Sequence, residues 1–248
     1  MVVEYIDREK VFEEFKIKFP IDRESIEYKA VYSKENPLVT VTMTTFNRCE
    51  ILIDYSLKSI IDQTYKNLEI IVVGDKCTDN TEEGIKKIKD NRIKFFNITK
   101  RPEYPGIDGS YERWLIAGSY PSHLNLDLAT GDFLTHLDDD DYFVPERIEK
   151  LVKFIQEKKC DAVHHPFSSP EGELINSNNW KLGDVTTSAL FMHGWFKHIR
   201  ANPLCYKIPE PGDWSRCKRI MELGAKIERY PEILTIKTNT RAKIGFKK

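Results

Sequence analysis

The 248-residue sequence predicts an α/β protein with a mostly parallel central sheet and helices on both faces. Three observations carry that prediction. Short β-branched runs alternate with segments whose apolar residues recur at helical spacing. The spacing of successive runs suits strand–helix–strand crossovers, which join parallel strands. Polar clusters then follow the runs, "TTFNR" (44–48), "DKCTDN" (75–80) and "DDDD" (138–141). An open parallel sheet binds its ligand at such carboxyl ends, so the fold gathers three clusters that lie far apart in sequence.

Residues 1–36 are charged, and Phe12, Phe15 and Phe19 recur at roughly helical spacing, which predicts a helical extension packed on the main domain. Pro37 punctuates. "LVTVTM" (38–43) reads as a buried strand, and Ile53, Leu57, Ile60 and Ile61 then share a helical face. "LEIIVVG" (68–74) is the second strand. Asp79 and Glu82 resemble a capping box opening a helix with Ile85 and Ile88, and "RIKFFNI" (92–98) is the third strand. From Thr99 to Pro121 the pattern gives way to Pro, Gly and Tyr, a functional loop or lid. "DFLTHL" (132–137) runs into the aspartates. Pro145 suits a first helical turn, with Ile148, Leu151, Val152 and Ile155 repeating behind it. "DAVHHPF" (161–167) and "VTTSALFM" (185–192) read as strands flanking a polar loop, 168–184, and "GDWSRCKRIMELG" (212–224) as a helix ended by Gly224. One compact domain results, with halves at 37–145 and 146–248.

Lys and Arg total 38 against 39 Asp and Glu, so no basic excess marks a nucleic-acid binder. No stretch approaches the roughly 20 apolar residues of a membrane span. The start carries charges where a signal peptide needs an apolar core. Five cysteines, an odd number without a CxxC pair, fit free thiols in a reducing cytoplasm. Lys237, Arg241, Lys243, Lys247 and Lys248 form a basic tail, read by default as a solvated terminus, with contact to the diphosphate or to an anionic membrane surface as the alternative. His164, His165, His193 and His198 lack zinc-ligand spacing. Trp195 and Trp214 suit either a sugar-stacking platform or core packing.

If the chain stays extended past Leu137, Asp138 and Asp140 point to one face. Two carboxylates about 5 Å apart repel by roughly 3 kcal/mol at an effective dielectric near 20. A divalent cation removes that cost, and oxygen-only ligands select Mg²⁺, Mn²⁺ or Ca²⁺. The alternative is an acidic turn in which Asp141 adds charge near the next helix start.

"VTVTMTTFNR" (39–48), "EIIVVGDKCTDNT" (69–81), "ATGDFLTHLDDDDYFVPER" (129–147) and "GDWSRCKR" (212–219) resemble the ordered motifs of family-2 inverting glycosyltransferases of the GT-A fold. The resemblance implies a Rossmann-like donor-binding half and a C-terminal acceptor-binding half. It places Thr44, Thr45, Asn47 and Arg48 beside the nucleotide sugar, with Asp75 accepting a hydrogen bond from the base. Asp138 and Asp139 would lie near ribose and donor sugar, and Asp140, supported by Asp138, would ligate Mn²⁺ or Mg²⁺ on the diphosphate. Asp213 falls where the family keeps its catalytic carboxylate. Two departures stand out: the usual acidic pair before a Gly-Ser turn reads Gly74-Asp75-Lys76-Cys77, and His123 or Asn125 stands in for an asparagine before "ATG".

The expectation is a metal-dependent enzyme passing a sugar from a nucleotide diphosphate, UDP by the resemblance, to a hydroxyl of a glycan, lipid-linked or protein acceptor bound by residues 168–211. Asp213 would act as base. Arg101 and Arg113 are expected in solvent. A sugar nucleotidyltransferase would place a glycine-rich loop after the first strand, and "TTFNRCE" has none. An idle sugar-binding module would have no use for acids at both Asp140 and Asp213.

Overall fold

The computed structural model describes residues 8–101, 103–107, 109–168, 174–175 and 180–238. Helices α1 (Arg8–Glu24) and α2 (Ile26–Ala30) precede β1 (Val39–Thr45). Then come α3 (Cys49–Ile51), a π-helical turn (Leu52–Leu57) and α4 (Lys58–Ile61), followed by β2 (Leu68–Gly74), α5 (Thr81–Lys87) and β3 (Ile93–Asn97). Helices α6 (Tyr111–Ile116) and α7 (Ser119–Leu128) lead to β4 (Phe133–His136) and β5 (Asp141–Phe143). The rest comprises α8 (Arg147–Lys158), β6 (Ala162–His164), β7 (Phe167–Ser168), β8 (Leu174–Ile175), β9 (Leu190–His193), α9 (Gly212–Glu222), β10 (Ile227–Arg229) and β11 (Thr235–Lys237).

Seven strands form the main sheet in the order β10-β6-β9-β4-β1-β2-β3, and β5, β11, β7 and β8 form a second. The pairs β1–β2, β1–β4, β2–β3 and β10–β6 are parallel, while β9 runs antiparallel between β4 and β6. Alternation along β2 explains the two layers. Ile70 and Val72 face Leu57, Ile60, Ile85, Ile148 and Leu151, whereas Ile71 and Val73 face Leu124, Leu126, Phe19 and Ile220. All are buried, as a strand covered on both faces requires.

The amino-terminal helices belong to the second layer. Phe12 and Phe19 are buried, and the Phe19 ring centroid lies 4.7 Å from that of Trp195. Asp161, 1% exposed, accepts from Tyr28 Oη at 2.7 Å and pairs with Arg23 Nη2 at 3.0 Å, and Tyr28 stacks on His193 at 3.6 Å. Trp195 is therefore a partly buried residue packed against the core, with Nε1 donating to Asp22 at 2.8 Å, which favours the packing reading over the sugar platform.

Some local readings need correction. Residues 187–189 form a 3₁₀ turn and only 190–193 a strand. Within 99–121, Ser110 caps α6 by accepting from Arg113 N at 3.3 Å, and Gly118 at φ +76° breaks the chain before α7, which contains Pro121. Asp79 is not in a capping box. Its carboxylate accepts from Thr81 N and Oγ1 and from Cys49 N, tying α5 to the start of α3.

Candidate functional site

The ends of β1, β2 and β4 meet on one edge, and Asp75 N donates to Thr45 O at 2.8 Å. Thr45 is buried, and Thr44 lies against Gly118, where an added Cβ would come within 3.1 Å of the threonine Oγ1. Asn47, at φ +51°, accepts from Thr78 N at 2.8 Å and donates to Thr78 Oγ1 at 3.2 Å. It clasps the first two polar loops together. Its place in the structure is that of a loop fastener.

Asp75 is 4% exposed. Its Oδ2 accepts from Arg101 Nε and Nη2 at 2.9 and 2.7 Å and from Tyr104 Oη at 2.7 Å. Its Oδ1 is buried and meets no hydrogen-bond partner among the described residues. A buried acceptor left open is costly unless a ligand donates to it. Arg101 is thus no solvated arginine: its guanidinium lies 3.9 Å from the Phe46 ring centroid, and Arg113 lies 3.9 Å from that of Tyr104. Sequence reasoning missed Tyr104 altogether, because the link to Asp75 crosses an irregular loop without periodicity.

The four aspartates do not run on as an extended strand. Asp141 N donates to Asp138 O at 3.2 Å, closing a turn. Asp138 and Asp140 therefore do not pair on a common face as expected. Arg48 Nη1 instead bridges Asp139 Oδ1 and Asp140 Oδ2 at 3.0 Å each, while Lys237 Nζ bridges Asp138 Oδ2 and Asp141 Oδ2 at 3.3 and 2.8 Å. His136 Nε2 adds a 3.2 Å contact to Asp138 Oδ1. Asp141 is buried in β5 and bound to β11, six residues ahead of α8, so it serves no helix start. Lys237, counted with the basic tail, belongs to this site; Arg241, Lys243, Lys247 and Lys248 lie outside the described residues.

Electrostatics follow from this pairing. Burial opposes charge on Asp138, yet Lys237 and His136 outweigh it and hold the carboxyl well below the ordinary aspartate range. Burial pushes Asp139 up to about 6 against the pull of Arg48, and Asp141 up to about 7 against that of Lys237. Lys237 is partly buried, which opposes its charge, but the two carboxylates outweigh that and hold its ammonium charged beyond the usual range.

Asp213 stands in the first turn of α9, with Oδ1 accepting from Trp214 N at 2.7 Å. Burial raises its pKa, and the charge of Asp138 raises it further, which places Asp213 within electrostatic reach of the acid turn. The adjoining Glu210 is tied to Lys218 at 2.6 Å. Asn125 Nδ2 donates to Met43 O at 2.7 Å and so braces β1 from α7. His165 accepts from Arg147 Nε at 3.0 Å deep in the core.

The profile of glycosyl transferase family 2 matches residues 40–104 and 124–201, more than half of the chain. The chain belongs to this family. A glycosyltransferase of Haemophilus influenzae without an assigned activity is 36% identical over 228 residues, 80% of this chain and 64% of its own length. A Campylobacter jejuni GalNAc(5)-diNAcBac-PP-undecaprenol β-1,3-glucosyltransferase is 30% identical over 140 residues, 56% of this chain and 41% of its own. In several such curated relatives the chain spans about half the length or less. Staphylococcus aureus TarS 1-349, solved with UDP-GlcNAc, superposes with a TM-score of 0.63 at 19% identity over 81% of this chain and 58% of that one. A Pyrobaculum calidifontis mannosyltransferase solved with GDP-Man and Mn²⁺ gives 0.58 at 16% identity, over 92% and 68%. These likenesses establish the GT-A-type fold, with its mostly parallel sheet between helical layers. No helix among the described residues is long and apolar enough to cross a membrane.

Proposed function

We propose that the protein is a metal-dependent, inverting glycosyltransferase that moves a sugar from a uridine-diphosphate donor to an acceptor hydroxyl in glycan synthesis. One observation carries the reading: the open buried acceptor of Asp75 and the acid turn follow strand ends on one edge of the sheet, and Gly212, beside Asp213, packs against Ser119 next to the Gly118 that abuts Thr44. Asp75 Oδ1 would accept the imide N–H of uracil. Asp140 would hold the ion and, like its neighbour Asp138, offers only oxygen. That suits Mg²⁺ or Mn²⁺, which take one or two carboxylates and fill the shell with water and phosphate oxygens. When bound, the ion would neutralise charge on the departing diphosphate. Thr44, Thr45 and Asn47 would shape the nucleotide cleft, with Asp138 and Asp139 toward ribose and sugar. Asp213 would take the proton from the acceptor hydroxyl as it attacks the face opposite the leaving group.

The donor is read out by thermal shift across nucleotide sugars with and without Mn²⁺, since a ligand that binds only the folded state raises Tm by mass action. A UDP-sugar is expected to give the largest shift. A larger one with a guanosine sugar would overturn the base assignment. Asp75→Ala is expected to weaken UDP binding more than tenfold, in line with about 1.5–3 kcal/mol for a hydrogen bond to a charged group. Calorimetry giving equal Kd for both proteins would reject it.

For the acceptor we propose a lipid-linked glycan at a membrane surface. Two relatives act, by name, on diphosphoundecaprenol-linked sugars. Ile107, Tyr111 and Trp114 are 80, 58 and 45% exposed, and the last two rings stack at 5.7 Å. Tyr111 and Trp114 belong to α6, whose Leu115 O would lie 3.5 Å from an added Cβ on Gly212, so this helix abuts the one bearing Asp213. Exposed aromatics with an aliphatic neighbour suit the lipid–water interface. Trp114→Ala is expected to lower co-sedimentation with phospholipid vesicles. Unchanged sedimentation would favour a water-soluble acceptor.

A further inference from the structure

Arg48 stands where a metal on Asp140 cannot leave it. One nitrogen, Nη1, lies 3.0 Å from Asp139 Oδ1 and 3.0 Å from Asp140 Oδ2. Asp140 is 9% exposed, so the low-dielectric surroundings magnify any cation–cation repulsion at that oxygen. The two cations seen on the acid turn among the described residues differ in how they are held. Lys237 belongs to β11, which pairs with β5 so that Lys237 stands opposite Asp141. Arg48 precedes α3 in the loop after β1, and nothing in the sheet pairing fixes its side chain. A guanidinium released from Asp140 at this position finds its best new partner in a diphosphate, which it meets with a planar fork of donors.

We propose that Arg48 is a resident counter-ion of the nucleotide-free site: it neutralises Asp139 and Asp140 there, yields Asp140 to the divalent ion when the diphosphate arrives, and turns to the phosphates. Lys237 stays on Asp138 and Asp141 throughout. The inference rests on the donor and metal reading above and adds to it a coupling between the two ligands. The exchange moves no proton and breaks no covalent bond. Its consequence is thermodynamic coupling: metal binds weakly alone and tightly with the diphosphate, and by linkage each ligand raises the affinity of the other by the same factor. Arg48 then sets the size of that factor, acting as a positioning residue with opposite effects on the two ligands.

The test measures free Mn²⁺ by electron paramagnetic resonance, with and without UDP, for the wild type, Arg48→Gln and Arg48→Lys, with circular dichroism as the check on folding. Without nucleotide, Arg48→Gln is expected to bind Mn²⁺ about tenfold more tightly than the wild type, because a competitor has gone. With saturating Mn²⁺, the same variant is expected to bind UDP about tenfold more weakly, so the coupling factor shrinks from both ends. Arg48→Lys keeps the cation and is expected to keep the weak nucleotide-free Mn²⁺ binding. Folded Arg48→Gln with unchanged or weaker Mn²⁺ affinity overturns the proposal, as does Arg48→Lys matching the tight binding expected of Arg48→Gln. If UDP fails to raise Mn²⁺ affinity in the wild type, the metal–diphosphate reading itself falls. If it does raise it while Arg48→Gln changes nothing, only the counter-ion role falls.

Discussion

Asp213→Asn is expected to lower sugar transfer at least 10²-fold while UDP and Mn²⁺ bind as in the wild type. The substitution is chosen to spare the helix. Asp213 accepts from Trp214 N in the first turn of α9, and an asparagine oxygen can accept the same bond. What it removes is the basic lone pair. A purely structural aspartate predicts near-wild-type transfer for the variant, so a rate assay with a competent acceptor divides the two roles. Glu210 is a poor substitute base because Lys218 neutralises it at 2.6 Å.

The pH profile gives an independent reading of the same residue. Burial and the charge of Asp138 raise the folded-state pKa of Asp213 above that of an ordinary aspartate, about 3.9. A base works only when ionised, so the share of kcat/KM that Asp213 supplies should fall as pH drops through this raised value. Asp213 therefore contributes an acid limb displaced upward from that of an ordinary aspartate, and Asp213→Asn should remove this contribution while a limb set by Asp139, raised to about 6, remains. A limb that survives in the variant belongs to another group.

Much of the fold was legible because its signals are local. Val39, Val41 and Met43 in β1 and the repeat Ile148, Leu151, Val152, Ile155 in α8 state their own burial through period and composition. The positions of Asp75 and the aspartate run at strand ends followed from the same alternation. The arrangement within the site did not, since it depends on partners far away in sequence. Lys237 meets Asp138 from 99 positions away, and that contact, with the ladder between β5 and β11, accompanies a closed turn where an extended strand was expected. Arg101 and Tyr104 reach Asp75 from a segment with no period to read. Trp195 looked equally suited to sugar or core until α1 supplied Phe15 and Phe19 against it. The antiparallel β9 likewise shows no local mark of its direction, because a short buried apolar run reads the same either way.

Asp140→Asn is expected to remove the metal-dependent part of UDP binding and at least 10²-fold of transfer. An ion that stabilises a leaving diphosphate is worth several kcal/mol in the transition state, and each tenfold in rate corresponds to about 1.4 kcal/mol. Asparagine keeps the size and one oxygen but loses the charge that attracts the ion. Stability gives the control. Asp138, Asp139 and Asp140 repel one another, and the resident cations offset that repulsion through Arg48 and Lys237. Neutralising Asp140 relieves some repulsion and leaves Arg48 its partner Asp139, so ligand-free Tm should hold or rise. Asp138→Asn should behave differently. It strips Lys237 and His136 of a shared anion while Asp140 remains for the metal, so Tm should fall and Mn²⁺-dependent UDP binding should persist in weakened form. Calorimetric titration of UDP with Mn²⁺ and then with chelator ranks the two carboxylates. If Asp140→Asn retains the Mn²⁺ dependence and Asp138→Asn loses it, the metal assignment moves to Asp138.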